Sequence, residues 1–460
     1  MSEMGSNRVK LKDPAKKGVV ENKANLMKIK SKFRSVTSCM TEKRVTLGSA
    51  FVVVLLSVIS TGLAQVATPS LTESGTPRKF ILLHTFSGQY DGGLPWAGLA
   101  LDAVGNLYGA TQVGGSHGYG AVFKIDAKRK ETVLWSFTNL GDGSWPLADV
   151  LLDKKGNLFG TTAFGGRNDL CTGQGCGTVF KVSQGGKETT LYQFEGSQYG
   201  DGQVSFAGLI ADNAGNVYGT SRWGGSSGVG VVFKLDIKGT ETVLHSFQSA
   251  PDGADPEARV TVDATGNLYG TTWFGGSNFC NCGTVFKIDA AGTYTVLYNF
   301  AGQGDGANPR AGLILDAKGN LYGTAARAGA YNGGVLFKVN PKGTENVLYS
   351  FGANGIDASE PNGDLVRDTK GNFYGSTYLG GTSGNGAVFK LDHTGKESVL
   401  YSFTGGTDGQ YPYGGVTMDK LGNLYGTALQ GGEDPYGNCA AQGNQGCGVV
   451  FKIAVGAKRW

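Results

Sequence analysis

From Lys79 onward the chain alternates short apolar runs with polar, glycine-rich turns. In residues 148–194 the runs are ADVLLD (148–153), NLFGTTA (157–163), GTVFKVS (177–183) and ETTLYQF (188–194), here strands a, b, c and d. Short runs rich in Val, Thr and aromatic residues, bounded by Gly, Asn and Asp, read as strands. The a–b turn is Asp-x-x-Gly-Asn, which favours a tight turn through Asx bonding and a permissive glycine. The c–d turn is similar, as in Asp236-Ile-Lys-Gly239. The d runs, VLWSF (133–137), VLHSF (243–247) and VLYNF (296–300), are apolar on both faces. Strands of that kind must be covered on both sides, as blades stacked against neighbours are.

The pattern is written seven times. The glycine of each Gly-Asn turn falls at 105, 156, 215, 266, 319, 371 and 422, with spacings of 51, 59, 51, 53, 52 and 51. A period near 50 residues marks a propeller or a solenoid. The seventh unit ends at strand c, GVVFKIA (448–454), without a d strand, whereas Phe80-Ile-Leu-Leu-His-Thr-Phe86 matches the d pattern ahead of the first a strand. A leading strand that completes the last blade closes a ring and removes an open edge, which a solenoid has no need of. The prediction is an all-β, seven-bladed β-propeller over 80–454, four antiparallel strands per blade, the last closed by the N-terminal strand.

The unit Asp-x-x-Gly-Asn-Leu-Tyr-Gly-Thr-Thr, then Gly-Thr-Val-Phe-Lys, then Glu-Thr-Val-Leu-Tyr-Ser-Phe resembles the GloVer (Gloeo/Verruco-type) tandem repeat of exported bacterial proteins. The resemblance covers essentially all of 80–454. It implies an exported bacterial protein, often with a C-terminal anchoring segment, and no established activity. This chain departs from the anchored pattern, ending in Ala-Val-Gly-Ala-Lys-Arg-Trp460 without a sorting tail. Its Asp-x-x-Gly-Asn-x-Tyr core is similar, less specifically, to NHL and gluconolactonase-like propellers.

Charge changes the picture at the N-terminus. Residues 1–64 hold 12 Lys/Arg and 4 Asp/Glu, so the formal +4 of the chain conceals 29 basic and 33 acidic residues beyond them. With no basic tract in the repeats, nucleic acid is excluded as a partner. Lys43 and Arg44, the apolar Leu47–Ile59 and the small residues Gly62-Leu63-Ala64 compose a secretory signal peptide. The alternative is an uncleaved anchor over Val45–Ala64, the one case in which the membrane is a partner. The upstream segment is long for a signal; Met40 would begin one of ordinary length. The expected organisation is 1–64 basic segment and signal, 65–79 linker, 80–454 propeller and 455–460 tail, with an exported location.

Because the units repeat, recurrent residues read as scaffold and variable ones as candidates for function. The seven Asp-x-x-Gly-Asn aspartates therefore read as turn chemistry, and the DGxxP runs (91–95, 142–146, 252–256, 305–309, 408–412) lack the closing glutamate of a calcium loop. His84, His117, His245 and His393 lie on different blades without ligand spacing, so neither metal nor cofactor is expected. Three local cysteine pairs, Cys171/Cys176, Cys280/Cys282 and Cys439/Cys447, each precede strand c and read as disulfides, with metal binding as the rival.

In a meander the a–b and c–d turns share one face, and the longer b–c and d–a loops share the other, where binding is expected. The variable positions there are Trp96, Glu257, Arg310 and Tyr413 at a-strand starts, with Asp149, Arg259 and Asp364 two residues further along an a strand. Arg222, Trp223, Trp273, Phe274, Arg327 and Tyr378 lie at b-strand exits. Aromatic rings, arginines and acids around a channel mouth suit a glycan, a small polar molecule or another surface protein. They equally suit ion pairing between blades. The expectation is an exported, non-catalytic binding propeller. The alternative is a lyase or lactonase with Glu257, Asp149 or Asp364 as acid, base or metal ligand.

Overall fold

The computed structural model describes residues 79–276, 280–434, 436–439 and 444–454. The basic segment, the apolar stretch before Ala64, nearly all of the linker and the tail lie outside the described residues. Seven antiparallel blade sheets follow one another along the chain, six of four strands and the fifth of five, because Ala307–Pro309 also pairs with Leu321–Arg327. Blade 1 is Ala100–Leu101, Leu107–Thr111, Ala121–Ile125 and Glu131–Ser136, and the next five repeat that a-b-c-d order. Blade 7 takes strands a to c from Thr417–Met418, Leu424–Ala428 and Val449–Ala454, and its outer strand is Lys79–Thr85, paired antiparallel with Val449–Ala454. The ring is closed by the N-terminal strand.

Strand a is shorter than the hydrophobic pattern suggests. The run predicted over 148–153 pairs only at Leu151–Leu152, because Ala148 and Asp149 part from strand b to line the axis. That divergence builds the candidate site.

Phenylalanine explains the seams. The d-strand Phe of each blade meets the c-strand Phe of the next edge to face. The pairs are Phe86–Phe123, Phe137–Phe180, Phe194–Phe233, Phe247–Phe286, Phe300–Phe337, Phe351–Phe389 and Phe403–Phe451, with centroids 4.9–5.4 Å apart. All fourteen rings are fully buried. Such pairs contribute about 0.5–1.5 kcal/mol each beyond their burial. The first seam uses Phe86 of the leading strand, so closure is built into the core as well as the sheet. The same rings explain the glycine of Asn-Leu-Tyr-Gly: a Cβ on Gly109 would lie 2.7 Å from the Phe123 ring.

On the turn face, Asp102 Oδ1 accepts from the amides of Val104 and Asn106, while Oδ2 accepts from Asn106 Nδ2 and Tyr108 Oη. Burial works against the carboxylate, but these donors, Asn106 foremost, hold its pKa below the usual range. Lys124 lies over the Tyr108 ring. The recurrent Asp, Asn, Tyr and Lys thus hold one another.

Candidate functional site

The d–a loops are set by the aspartate of each DG. Asp201 accepts from the Glu195 amide and Tyr192 Oη, and Asp305 from the Ala301 amide and Tyr298 Oη. His84 faces Asp91 and His245 faces Asp252 in the same slot, so these histidines do the work of the tyrosine hydroxyl. Donors of the loop itself occupy these carboxylates.

Four residues after each such aspartate the chain turns to the axis, usually through proline. The preceding residue is left-handed in all seven blades: Leu94, Trp145, Val204, Asp255, Asn308, Glu360 and Tyr411, with φ between 52° and 58°. Each donates its amide to a carbonyl of the preceding blade, as Leu94 does to Cys447 (2.7 Å) and Tyr411 to Asn385 (2.8 Å). Most also accept from their own b-strand exit, as Trp145 does from Ala163 (3.0 Å). A left-handed L-residue costs about 1–2 kcal/mol, so the two-sided bonding is what holds it there. Sequence reasoning missed this ring. Its signal is the one freely varying residue ahead of an otherwise constant proline.

Past the proline, all seven a-strand starts converge on a cavity of about 70 Å³ lined by Trp96, Leu147, Phe206, Glu257, Arg310, Asn362 and Tyr413. Blades 1–3 supply an apolar wall in which Leu147, Ala163 and Val204 pack with Trp96, Trp145, Phe164, Phe206 and Trp223. Blades 3–6 supply the charges. Glu257, 2 % exposed, is gripped by Arg310 through Oε2 and by Arg222 through Oε1 at 3.0 Å, and Arg222 also reaches Asp255 at 3.3 Å. Burial would raise the Glu257 pKa, but the two guanidinium groups, Arg310 first, hold it below its ordinary value. Arg310 is sandwiched between Trp273 (4.3 Å) and Tyr413 (4.9 Å), and Trp96 meets Tyr413 edge to face. Phe274 packs edge to face on Trp273, and Tyr378 stacks on Tyr411.

One layer deeper, Arg259 pairs with Asp364 at 2.5 Å. Asp149 accepts from the Gly98 amide at 2.6 Å and Asp364 from that of Gly312 at 2.5 Å. Burial first, and the charge of Asp364 second, push the Asp149 carboxyl up to about 6 against the pull of Arg259. Here the blades touch backbone to backbone: a Cβ on Gly414 would stand 2.3 Å from the Ala97 carbonyl carbon, and one on Gly363 2.5 Å from the Gly415 nitrogen. The sequence-derived candidates are therefore brought together at the axis, mostly as one another's partners, with the direct ion pairs among Arg222, Glu257, Arg310, Arg259 and Asp364 of blades 3–6. Arg327 stands apart: its side chain is exposed at the mouth, over the Trp273 face at 5.9 Å, and it makes no ion pair within 4 Å among the described residues.

Three disulfides join Cys171–Cys176, Cys280–Cys282 and Cys439–Cys447 in the b–c loops of blades 2, 4 and 7. Each lies against a glycine of the adjoining d–a loop. A Cβ on Gly196, Gly302 or Gly88 would fall 2.4–2.7 Å from a cysteine sulfur. Asp434 lies with Cys439 and Cys447 in a group whose atoms are within 4.8 Å, but the sulfurs are bonded to each other. Asp434 accepts from the Asn438 and Cys439 amides.

No curated protein matches the chain. Among solved structures, it is similar to the extracellular domain of a protein assigned to a one-component system (BT4673) of B. thetaiotaomicron. The identity is 14 %, covering 84 % of this chain and 42 % of that one, with a TM-score of 0.51. A corresponding domain of a hybrid two-component system (BT3049) from the same organism gives 13 % identity, 82 % and 41 % coverage and a TM-score of 0.49. The chain spans about two-fifths of the length of these proteins, and at such identity the likeness is one of fold alone. The family model described as the Gloeobacter/Verrucomicrobia repeat matches residues 69–214 and 204–439. The chain, a bacterial seven-bladed propeller, belongs to the Gloeobacter/Verrucomicrobia repeat family.

Proposed function

We propose that this is an exported, non-catalytic binding propeller whose partner, a glycan or small polar molecule, lies across the loop-face mouth. The observation that carries this reading is the mutual engagement of the charges. Glu257 is held by two arginines and Arg259 by Asp364, so neither acid is free to move a proton. A cavity of about 70 Å³ is also far below the ~300–1,000 Å³ of ordinary ligand pockets. A partner thus rests on the rim, where Arg327 offers its guanidinium to a carboxylate or a hydroxyl and Tyr378 and Tyr411 offer their stacked faces.

One group favours the second reading, a lyase or lactonase at the same mouth. Asp149, titrating at about 6 beside Asp364, has the pKa of a general acid. It faces Arg259 and the Gly98 amide in the tightest part of the axis, which argues against access by a substrate. A glycan and metabolite screen on the purified chain, run for binding and for turnover, separates the two. The binding reading expects saturable binding without product, weakened about tenfold by Arg327→Ala and untouched by Arg129→Ala in a c–d turn. Turnover abolished by Asp149→Asn would overturn it.

A further inference from the structure

A second opening, wider than the axial cavity, lies away from the axis. A groove of about 650 Å³ runs along the outer edge of blade 1, where strand Glu131–Ser136 passes between the loop bearing Tyr90 and the b–c loop bearing Ser116 and His117. That volume lies within the range of small-molecule sites, whereas the axial cavity holds about 70 Å³.

Its lining departs from the repeat in one telling position. The d-strand slot filled elsewhere by tyrosine or histidine (His84, Tyr192, His245, Tyr298, Tyr349, Tyr401) is Trp135 in this blade alone. Its indole is fixed by an Nε1–H bond to Asp142 at 3.3 Å. Opposite, the Tyr90 ring is 74 % exposed and open to a partner. Between them lie the hydroxyls of Ser116 and Thr138 and the carboxyl of Glu131. Among the described residues, neither lysine nor arginine lines the groove.

We propose that this groove is a second binding site and that its ligand is an uncharged saccharide. Aromatic rings accept the C–H faces of a pyranose, and hydroxyl and carboxyl oxygens accept its O–H groups. Apart from His84, which faces Asp91, and His117 in the lining, no base among the described residues balances the carboxyls of Asp91 and Glu131, so an acidic sugar is repelled at neutral pH and above. The site does not depend on the axial mouth, which is on the other side of the blade.

Calorimetric titration of the full chain with neutral hexasaccharides of glucose, mannose and galactose, and with oligo-uronates, tests this. Neutral chains should bind and uronates should bind at least tenfold more weakly. Tyr90→Ala removes an exposed ring, and Ser116→Trp fills the groove from an exposed position; each should weaken neutral binding at least tenfold. Arg327→Ala, at the mouth, should leave it within twofold. Failure of every neutral chain to bind, equal binding of uronates, or binding lost with Arg327→Ala but retained in both groove variants would each overturn the assignment.

Discussion

At the scale of the residue, Glu257 is the clearest case of a candidate ligand group that has become a structural one. It sits at the start of an a strand on the axis, and its charge is balanced by Arg222 and Arg310 from the blades on either side. Removing one member of a buried ion pair leaves the others uncompensated, at about 3–5 kcal/mol. Glu257→Ala should therefore lower the unfolding free energy by about 3 kcal/mol, read from urea denaturation. A loss under about 0.5 kcal/mol would mean that the arginines are solvated without it. Arg310 is no freer. Its guanidinium is engaged by Glu257 and covered by two rings, so a ligand at the rim meets Arg327 first.

At the scale of the element, the outer seams carry a recurring carboxyl. Glu131, Glu188, Glu241, Glu345 and Glu397 each begin a d strand beside the DG aspartate of the preceding seam, namely Asp91, Asp142, Asp201, Asp305 and Asp357. Burial is the main cause of their raised pKa values. The neighbouring aspartate adds to the rise in all five, while His84 beside Glu131 and the Thr190 hydroxyl on Glu188 pull the other way. They reach about 6 for Glu131, about 7 for Glu188, Glu241 and Glu345, and about 8 for Glu397. A carboxyl raised on folding binds its proton more tightly in the native state, so stability falls as pH rises from the unfolded value near 4.5 through 6 to 8. The melting temperature should be higher at pH 5 than at pH 8.5, and Glu397→Gln should shrink the difference. A melting temperature that rises across that range would reject the assignment. The remaining two seams place Phe80 on Tyr401 and Tyr294 on His245 instead, which shows that the position can be filled without charge.

Strand identity and closure were legible in the sequence because each d strand is apolar on both faces and one was missing at the end. The disulfide pairing was legible from three local pairs. What could not be read was how the a run leaves its sheet at Leu151, since period-2 patterning says nothing of where a ladder stops for want of a neighbour. The left-handed ring was hidden for a related reason. Leu94, Trp145 and Val204 are poor candidates for positive φ, and only hydrogen bonds from two blades keep them there. Nor did the sequence show that the acids and arginines at the mouth face each other, because they come from blades more than fifty residues apart, as Arg310 and Glu257 do.

At the scale of the whole molecule, closure depends on one strand. Lys79–Thr85 pairs with Val449–Ala454, Phe80 stacks on Tyr401, and Phe86 completes the seam with Phe123. Deleting residues 65–87 would expose the edge of Val449–Ala454 and two ring faces at once. The truncated chain should elute as aggregates in size-exclusion chromatography and melt at lower temperature. A monomer with unchanged melting would contradict the closure.

The two faces differ in kind: uniform Asp-x-x-Gly-Asn turns on one, variable and disulfide-braced loops on the other. The central claim is that function belongs to the second. Amide hydrogen exchange of the full chain, with and without a saturating partner taken from the binding screen, tests this most directly. Protection is predicted at the b-strand exits around Arg222–Trp223, Trp273–Phe274 and Arg327, and in the d–a residues Glu360 and Tyr411, with the turns at 102–106 and 236–239 unchanged. Protection confined to those turns would contradict the account.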